Sequence, residues 1–164
     1  MDYIEFDRNN QYQYRNLQQL FADYFTGLFE NDPEVNFTNE QLAEIFQDFL
    51  EALNFEDSWV ILANDEPGGQ LAGFVIAHID RPHKDWCKRE GWGMIREIYV
   101  APQFRGRGIG KQLIRAAEAA MKNFEPPGFY LTSDDSFEFW QKVGYADTGE
   151  IEEANNSRIF AKSC

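Results

Sequence analysis

The chain of 164 residues is poor in metal-ligating and redox side chains: it has two cysteines, Cys87 and Cys164, and two histidines, His78 and His83. They form neither a CxxC nor an HExxH spacing, so no metal site is expected. Cys164 is the last residue, which disfavours a disulfide to Cys87 and suits a reduced compartment. Neither thiol stands out as a nucleophile. Long apolar runs are also missing, since stretches such as Leu71 to Ile79 stop well short of the roughly 20 residues a membrane helix needs. The start, Met1-Asp2-Tyr3, lacks the basic region of a signal peptide, so a cytoplasmic location without a membrane partner is expected. Basic residues are scarcest in the first half: Met1 to Asp80 holds 16 Asp and Glu against Arg8 and Arg15, net −14, whereas residues 81 to 164 are nearly balanced at net +1. Such a surface repels nucleic-acid phosphates and favours a cationic ligand or partner; the plainer reading is solubility alone.

What is present is enough for one core. Hydrophobic residues make up 43% and aromatic residues 16% of the sequence, no repeat or low-complexity tract divides it, and residues 1–164 are expected to form a single domain. Tyr3 to Phe6 predicts a strand. Gln11 to Phe29 predicts a helix, with Leu17, Leu20, Phe21, Tyr24, Phe25 and Leu28 on one face. Asn39 is the expected N-cap of a second helix carrying Leu42, Ile45, Phe46, Phe49 and Leu53. Ser58 to Ala63 and Leu71 to Asp80 read as a hairpin about Asp65-Glu66-Pro67-Gly68-Gly69. Trp92 to Val100 is a further strand, and Gly106 to Gly110 opens a helix bearing Ile109, Leu113, Ile114, Ala117 and Met121. Phe129 to Thr132 is a strand and Asp135 to Val143 a helix stopped by Gly144. Ala146 to Glu152 and Ser157 to Lys162 form a closing hairpin. The class is mixed α/β, with about six to seven mostly antiparallel strands, one parallel crossover and about four helices.

Between the strand ending at Val100 and the following helix lies Arg105-Gly106-Arg107-Gly108-Ile109-Gly110-Lys111. Free N–H groups at a helix start converge on an anion, and three glycines let it approach closely. Arg105, Arg107, Lys111 and Arg115 add positive potential to an otherwise acidic protein. The pattern fits neither GxxxxGK[ST] nor GxGxxG, so the residues alone leave open an anion cradle or a plain turn.

The run from Ile95 to Ile114 resembles the central motif of the GNAT family of acyl-CoA-dependent N-acetyltransferases, whose signature [QR]-x-x-G-x-[GA] is met by Arg105, Gly108 and Gly110. Phe139-Trp140-Gln141-Lys142-Val143-Gly144-Tyr145 resembles the family's second motif, F-Y-x-x-x-G-F. The resemblance runs in element order from about Trp59 to Lys162, and the two N-terminal helices correspond to the family's substrate-selecting region. It implies that backbone amides of Arg105, Gly106, Arg107, Gly108, Ile109, Gly110 and Lys111 hold the pyrophosphate of acetyl-CoA. It also implies that the backbone of Ile98, Tyr99 and Val100 binds the pantetheine arm, with one N–H polarising the thioester carbonyl. The side chains of Ile98 and Val100 are expected to pack in the core.

Attack by an amine needs a group to take its proton. Glu97 is the candidate base, since it shares a strand face with Tyr99; alternatively it pairs on the surface with Arg96 or Lys111. Many members of the family carry a Tyr, the acid for the leaving thiolate, where Trp140 stands. An indole N–H donates a hydrogen bond but does not give up its proton, so either Tyr145, Tyr130 or water substitutes, or the thiolate, whose pKa is near 8.5, leaves without a dedicated acid. Ser133 stands where the family often has Asn and keeps a hydroxyl for the pantetheine arm. Phe21, Tyr24, Phe25 and Phe29 either line a pocket or fill the core, and Glu30, Asp32 and Glu34 either bind a cationic amine or are a solvated run. Arg81 to Gly93, with His83, Trp86 and Cys87, receives no chemistry.

The resemblance thus implies acetyl transfer from acetyl-CoA, without metal, to a primary amine: a polyamine, an aminoglycoside-like compound or a basic peptide terminus. The rival is a non-catalytic acyl-CoA-binding regulatory module of the same fold. A homodimer is compatible with the resemblance.

Overall fold

The computed structural model describes residues 1–65, 69–83 and 88–164; the turn at Glu66-Pro67-Gly68 and residues Trp86 and Cys87 lie outside these. The strands are β1 (Asp2–Glu5), β2 (Ser58–Asn64), β3 (Leu71–Ile79), β4 (Gly93–Val100), β5 (Gly128–Ser133), β6 (Ala146–Glu152) and β7 (Ser157–Ser163). They form one sheet in the order β1-β2-β3-β4-β5-β7-β6. Every neighbouring pair is antiparallel except β4 with β5. The mixed, mostly antiparallel sheet expected from the sequence is therefore observed, and the one parallel contact joins the two strands of a strand, helix, strand unit through the helix Ile109–Met121.

The helices are α1 (Gln11–Leu28), α2 (Asn39–Glu51), α3 (Ile109–Met121) and α4 (Phe137–Lys142). Asn10 caps α1 by accepting from the N–H groups of Tyr12 and Gln13. Thr38, not Asn39, caps α2, in a reciprocal box with Gln41 that satisfies two end donors at once. Helix α4 starts two residues later than expected, because Ser136 adopts the left-handed conformation at φ 60°.

The central strands are apolar on both faces: all nine residues of β3 are buried. Leu113, Ile114, Ala117 and Met121 of α3 cover one face. On the other, α1 and α2 bring Leu17, Leu20, Phe21, Phe46 and Leu50 into the same core. Leu28, expected on the buried stripe, is 57% exposed. The end of α1 is covered instead by mutual packing of Phe25, Phe29 and Phe37, with ring centroids 5.2 to 5.5 Å apart. Rings this close leave no room for a ligand among them, so Phe25 and Phe29 hold the loop after α1. Glu30, Asp32 and Glu34 on that loop are exposed, with Asp32 turned back to accept from the Glu34 N–H.

Candidate functional site

Strands β4 and β5 pair only at Gly93 with Phe129 and Met94 with Tyr130. Beyond that point β4 stays with β3 as far as Val100, while β5 stays with β7 as far as Ser133. A wedge therefore opens in the sheet, and backbone groups of β4 on that side have no ladder partner from β5.

The closed end of the wedge is pinned by a fully buried carboxylate. Asp80 accepts from the Tyr130 hydroxyl and from the N–H groups of Lys88 and Arg89 at 3.0 and 3.1 Å, with His78 Nε2 at 3.5 Å. Burial opposes its charge, but these donors outweigh that and hold its pKa below the ordinary value. No motif marks Asp80. Only the pairing of Met94 with Tyr130 shows why a charge is needed there, at the point where the strands part.

At the open end, a single 3-10 turn (Pro102–Phe104) leads into α3. Gly106 and Gly108 both sit at φ 77°, and a Cβ on either would meet nothing within 4 Å. Glycine is required at these two positions for backbone conformation, and the space in front of them is open. Gly110 is different, because a Cβ there would lie 3.2 Å from the Phe139 ring and 3.9 Å from Val100 Cγ2. The first turn of α3, the end of β4 and α4 thus meet at the mouth of the wedge. Gly108 caps α3 without a side-chain bond, and Gln112 is the first residue whose N–H reaches back, to the Gly108 carbonyl at 3.2 Å. The N–H groups of Ile109, Gly110 and Lys111 point outward with the positive end of the helix dipole.

The arginines of this loop are placed by its backbone. Arg105 Nε donates to the Val100 carbonyl at 2.9 Å and its guanidinium lies 5.8 Å from the Tyr99 ring. Arg107 donates to the Gln103 carbonyl and lies over Phe104. Behind the cradle, Lys111, Arg115, Lys142 and Lys162 line a groove of about 250 Å³ between α3 and α4. Lys142, part of the second sequence motif, comes beside the helix after the glycine loop only through the fold.

The opposite side of β4 holds the candidate base. In the register with β3, Ile76 faces Glu97 and Ala77 faces Ile95, so Arg96 is an extra, bulged residue. The bulge turns two charged neighbours toward the helical layer: Arg96 stacks 4.6 Å over Phe49 of α2, and Glu97 Oε2 accepts from the Tyr24 hydroxyl of α1. Burial raises the pKa of Glu97, while the Tyr24 bond and the nearby Arg96 charge oppose the rise. Tyr99 shares this face, 5.6 Å ring to ring from Tyr24. Ile98 and Val100 pack against the core, as expected of their side chains.

Trp140 is 5% exposed, packed against Phe139 and Tyr145, and its indole Nε1 has no partner among the described residues. Ser133 donates to the Asp135 carbonyl at 2.6 Å, which leaves its oxygen able to accept. Tyr145 does not fulfil the expectation of an acid. It is 2% exposed, and its hydroxyl donates to Glu118 at 3.0 Å beside Lys162, also 3.0 Å from Glu118. Burial and then the Glu118 charge raise its pKa far above that of free tyrosine, so it holds its proton and ties α3 to the strand behind it.

Residues 14–145 match the family model described as the acetyltransferase (GNAT) family. No curated protein matches the chain. Similar solved structures include an aminoglycoside 6'-acetyltransferase type Ii, 22% identical over 99% of this chain and 97% of that one, with a TM-score of 0.70. The PaiA N-acetyltransferase from Thermoplasma acidophilum in complex with coenzyme A is 17% identical over the full length of both chains, with a TM-score of 0.63. A chain of the NatC complex bound to Gag peptide and CoA is 17% identical over 99% and 98%, with a TM-score of 0.64. At these identities the likeness is one of fold.

Proposed function

We propose, from the premise that this chain belongs to the GNAT acetyltransferase family, that it transfers the acetyl group of acetyl-CoA to a primary amine by direct attack in a ternary complex. The observation that carries this reading is the wedge between β4 and β5, with a glycine-turned helix start at its open end. The residues suit acetyl-CoA. Open space fronts Gly106 and Gly108, and outward N–H groups suit a pyrophosphate.

Bound there, acetyl-CoA supplies an acyl thioester as electrophile. The N–H groups of Ile109, Gly110 and Lys111 hold the anionic end, helped by Arg105, Arg107 and the conformations of Gly106 and Gly108. The backbone of Ile98, Tyr99 and Val100 would hold the extended arm as a strand does, and an N–H there would stabilise the oxygen on which negative charge grows. Ser133 accepts from an amide of the arm. Glu97 takes one proton from the substrate ammonium, whose ordinary pKa is near 10, so that the free amine nitrogen bonds to the acyl carbon, and the second proton leaves to solvent as the amide forms. A raised pKa makes Glu97 a stronger base than a surface carboxylate. As the carbon–sulfur bond breaks, the departing thiolate takes a solvent proton. Thiols have a pKa near 8.5, so the leaving group does not require a protein acid.

The acceptor is proposed to be cationic, drawn to the acidic N-terminal half that borders the Glu97 side of β4. Thermal-shift titration with CoA followed by a thiol-release assay against polyamines, aminoglycosides, amino acids and basic peptides tests the proposal. A CoA-dependent rise in Tm and turnover on one amine class are expected; no rise with CoA overturns the cosubstrate assignment.

A further inference from the structure

We infer that Tyr24 of α1 is a positioning residue for the reaction: its hydroxyl holds Oε2 of Glu97, so that the other carboxylate oxygen is aimed at the proton of the acceptor amine. The inference rests on the reading of Glu97 as base, and it places control of that base in the helical layer that flanks the acceptor side of the sheet.

The geometry is specific. The Tyr24 ring is set edge-on to Phe74 at 5.7 Å and 85°, and lies 6.0 Å from Phe21 and 5.6 Å from Tyr99. A ring bounded on three sides has little rotational freedom, so its hydroxyl has one place to be. That place is Glu97 Oε2. The direction of the bond follows from the groups: an ionised carboxylate only accepts, and burial with the Glu97 charge beside it keeps the phenol protonated. The groups facing Glu97 are Tyr24 from α1, Arg96 on its own strand, which is stacked on Phe49 of α2, and Tyr99 two residues on. Across the ladder β3 presents Ile76, which cannot titrate. Asp23 and Arg105 act on Tyr99. A residue needed only for packing would require the ring and not the hydroxyl.

Tyr24→Phe keeps the ring and removes the bond. In the full chain saturated with CoA, the Glu97 carboxyl carbon is followed by 13C NMR through a pH titration, with its resonance assigned by its absence in Glu97→Gln. The Glu97 midpoint is expected to move to higher pH in Tyr24→Phe, because a donor to the charged form is lost. It is expected to move to lower pH when Tyr24 is replaced by a fluorotyrosine, whose more acidic hydroxyl donates more strongly. With kanamycin and spermidine as acceptors, kcat/KM at pH 7 is expected to fall about tenfold in Tyr24→Phe, the cost of one charge-assisted bond. A Glu97 midpoint that stays in place in both variants overturns the inference. Full turnover of Glu97→Gln instead overturns the base reading, while the NMR midpoints still report whether the Tyr24 bond exists.

Discussion

The two sides of β4 work by different means. On the wedge side, from Val100 through Gly110, recognition is assigned to the backbone: N–H groups at a helix start, two left-handed glycines and a strand without a neighbour. On the helical side it is assigned to side chains from separate elements, Tyr24 of α1 with Glu97 of β4 and Arg96 against Phe49 of α2. A backbone site suits a ligand that never changes, because its geometry survives most substitutions. A side-chain site can be retuned residue by residue, which suits the half that selects an acceptor.

The sharpest way to test this division is Glu97→Gln. A general base contributes about 10² to 10⁴ in rate, so kcat is expected to fall at least 100-fold while a CoA titration shows unchanged affinity. In the unaltered chain, kcat/KM is expected to fall as pH drops through a Glu97 midpoint lying above the ordinary carboxylate range, because burial raises it. The same raised pKa means that ionising Glu97 disfavours the fold. Its contribution to stability is present below the ordinary carboxylate value and is lost as pH rises through the raised one, so Glu97→Gln should raise Tm more at pH 8 than at pH 4.

Gly108→Ala tests the backbone side. Placing a side chain at φ 77° costs about 1–2 kcal/mol or shifts the loop, so CoA affinity should fall about tenfold by calorimetry, with the affinity for acceptor kept. The proposed charge steering has a salt signature. From low to high ionic strength, kcat/KM for spermidine should fall several-fold, while that for a monoamine changes little.

Tyr145→Phe is expected to have the smallest effect on catalysis. It should leave kcat within about twofold and lower stability by about 2 kcal/mol, the scale of a buried bond to a charged partner, as read from urea unfolding. A large loss of kcat with stability kept would return Tyr145 to the mechanism.

Much of the cofactor half was legible in the sequence because its signals are local. Glycines at 106 and 108 mark left-handed backbone within three residues of a helix start, and the apolar run Ile98-Tyr99-Val100 marks the end of the strand before them. Glu97 stood out as a candidate, as a lone acid inside that strand. Its partner did not, since Tyr24 lies 73 residues away and reads as one aromatic among several on a helix stripe. Tyr145 misled for a related reason: a tyrosine next to a motif reads as an acid until Glu118 and Lys162, distant in sequence, are seen to hold its hydroxyl. Asp80 carried no signal, because its importance comes from donors on β5 and on the connection after β3 that only pairing brings together.

By itself, then, the sequence determined the order of strands and helices, the apolar strands that must be central and the helix start that offers its N–H groups to an anion. Each of these follows from rules acting over a few residues: periodicity, capping and the conformations open to glycine. Tertiary structure alone decided where β4 leaves β5, which way the bulge at Arg96 turns Glu97, which tyrosine meets that carboxylate and which is locked in the core. Those outcomes depend on distant elements arriving at one place, and the burial and hydrogen bonds that set the charge and aim of a side chain exist only once they have arrived.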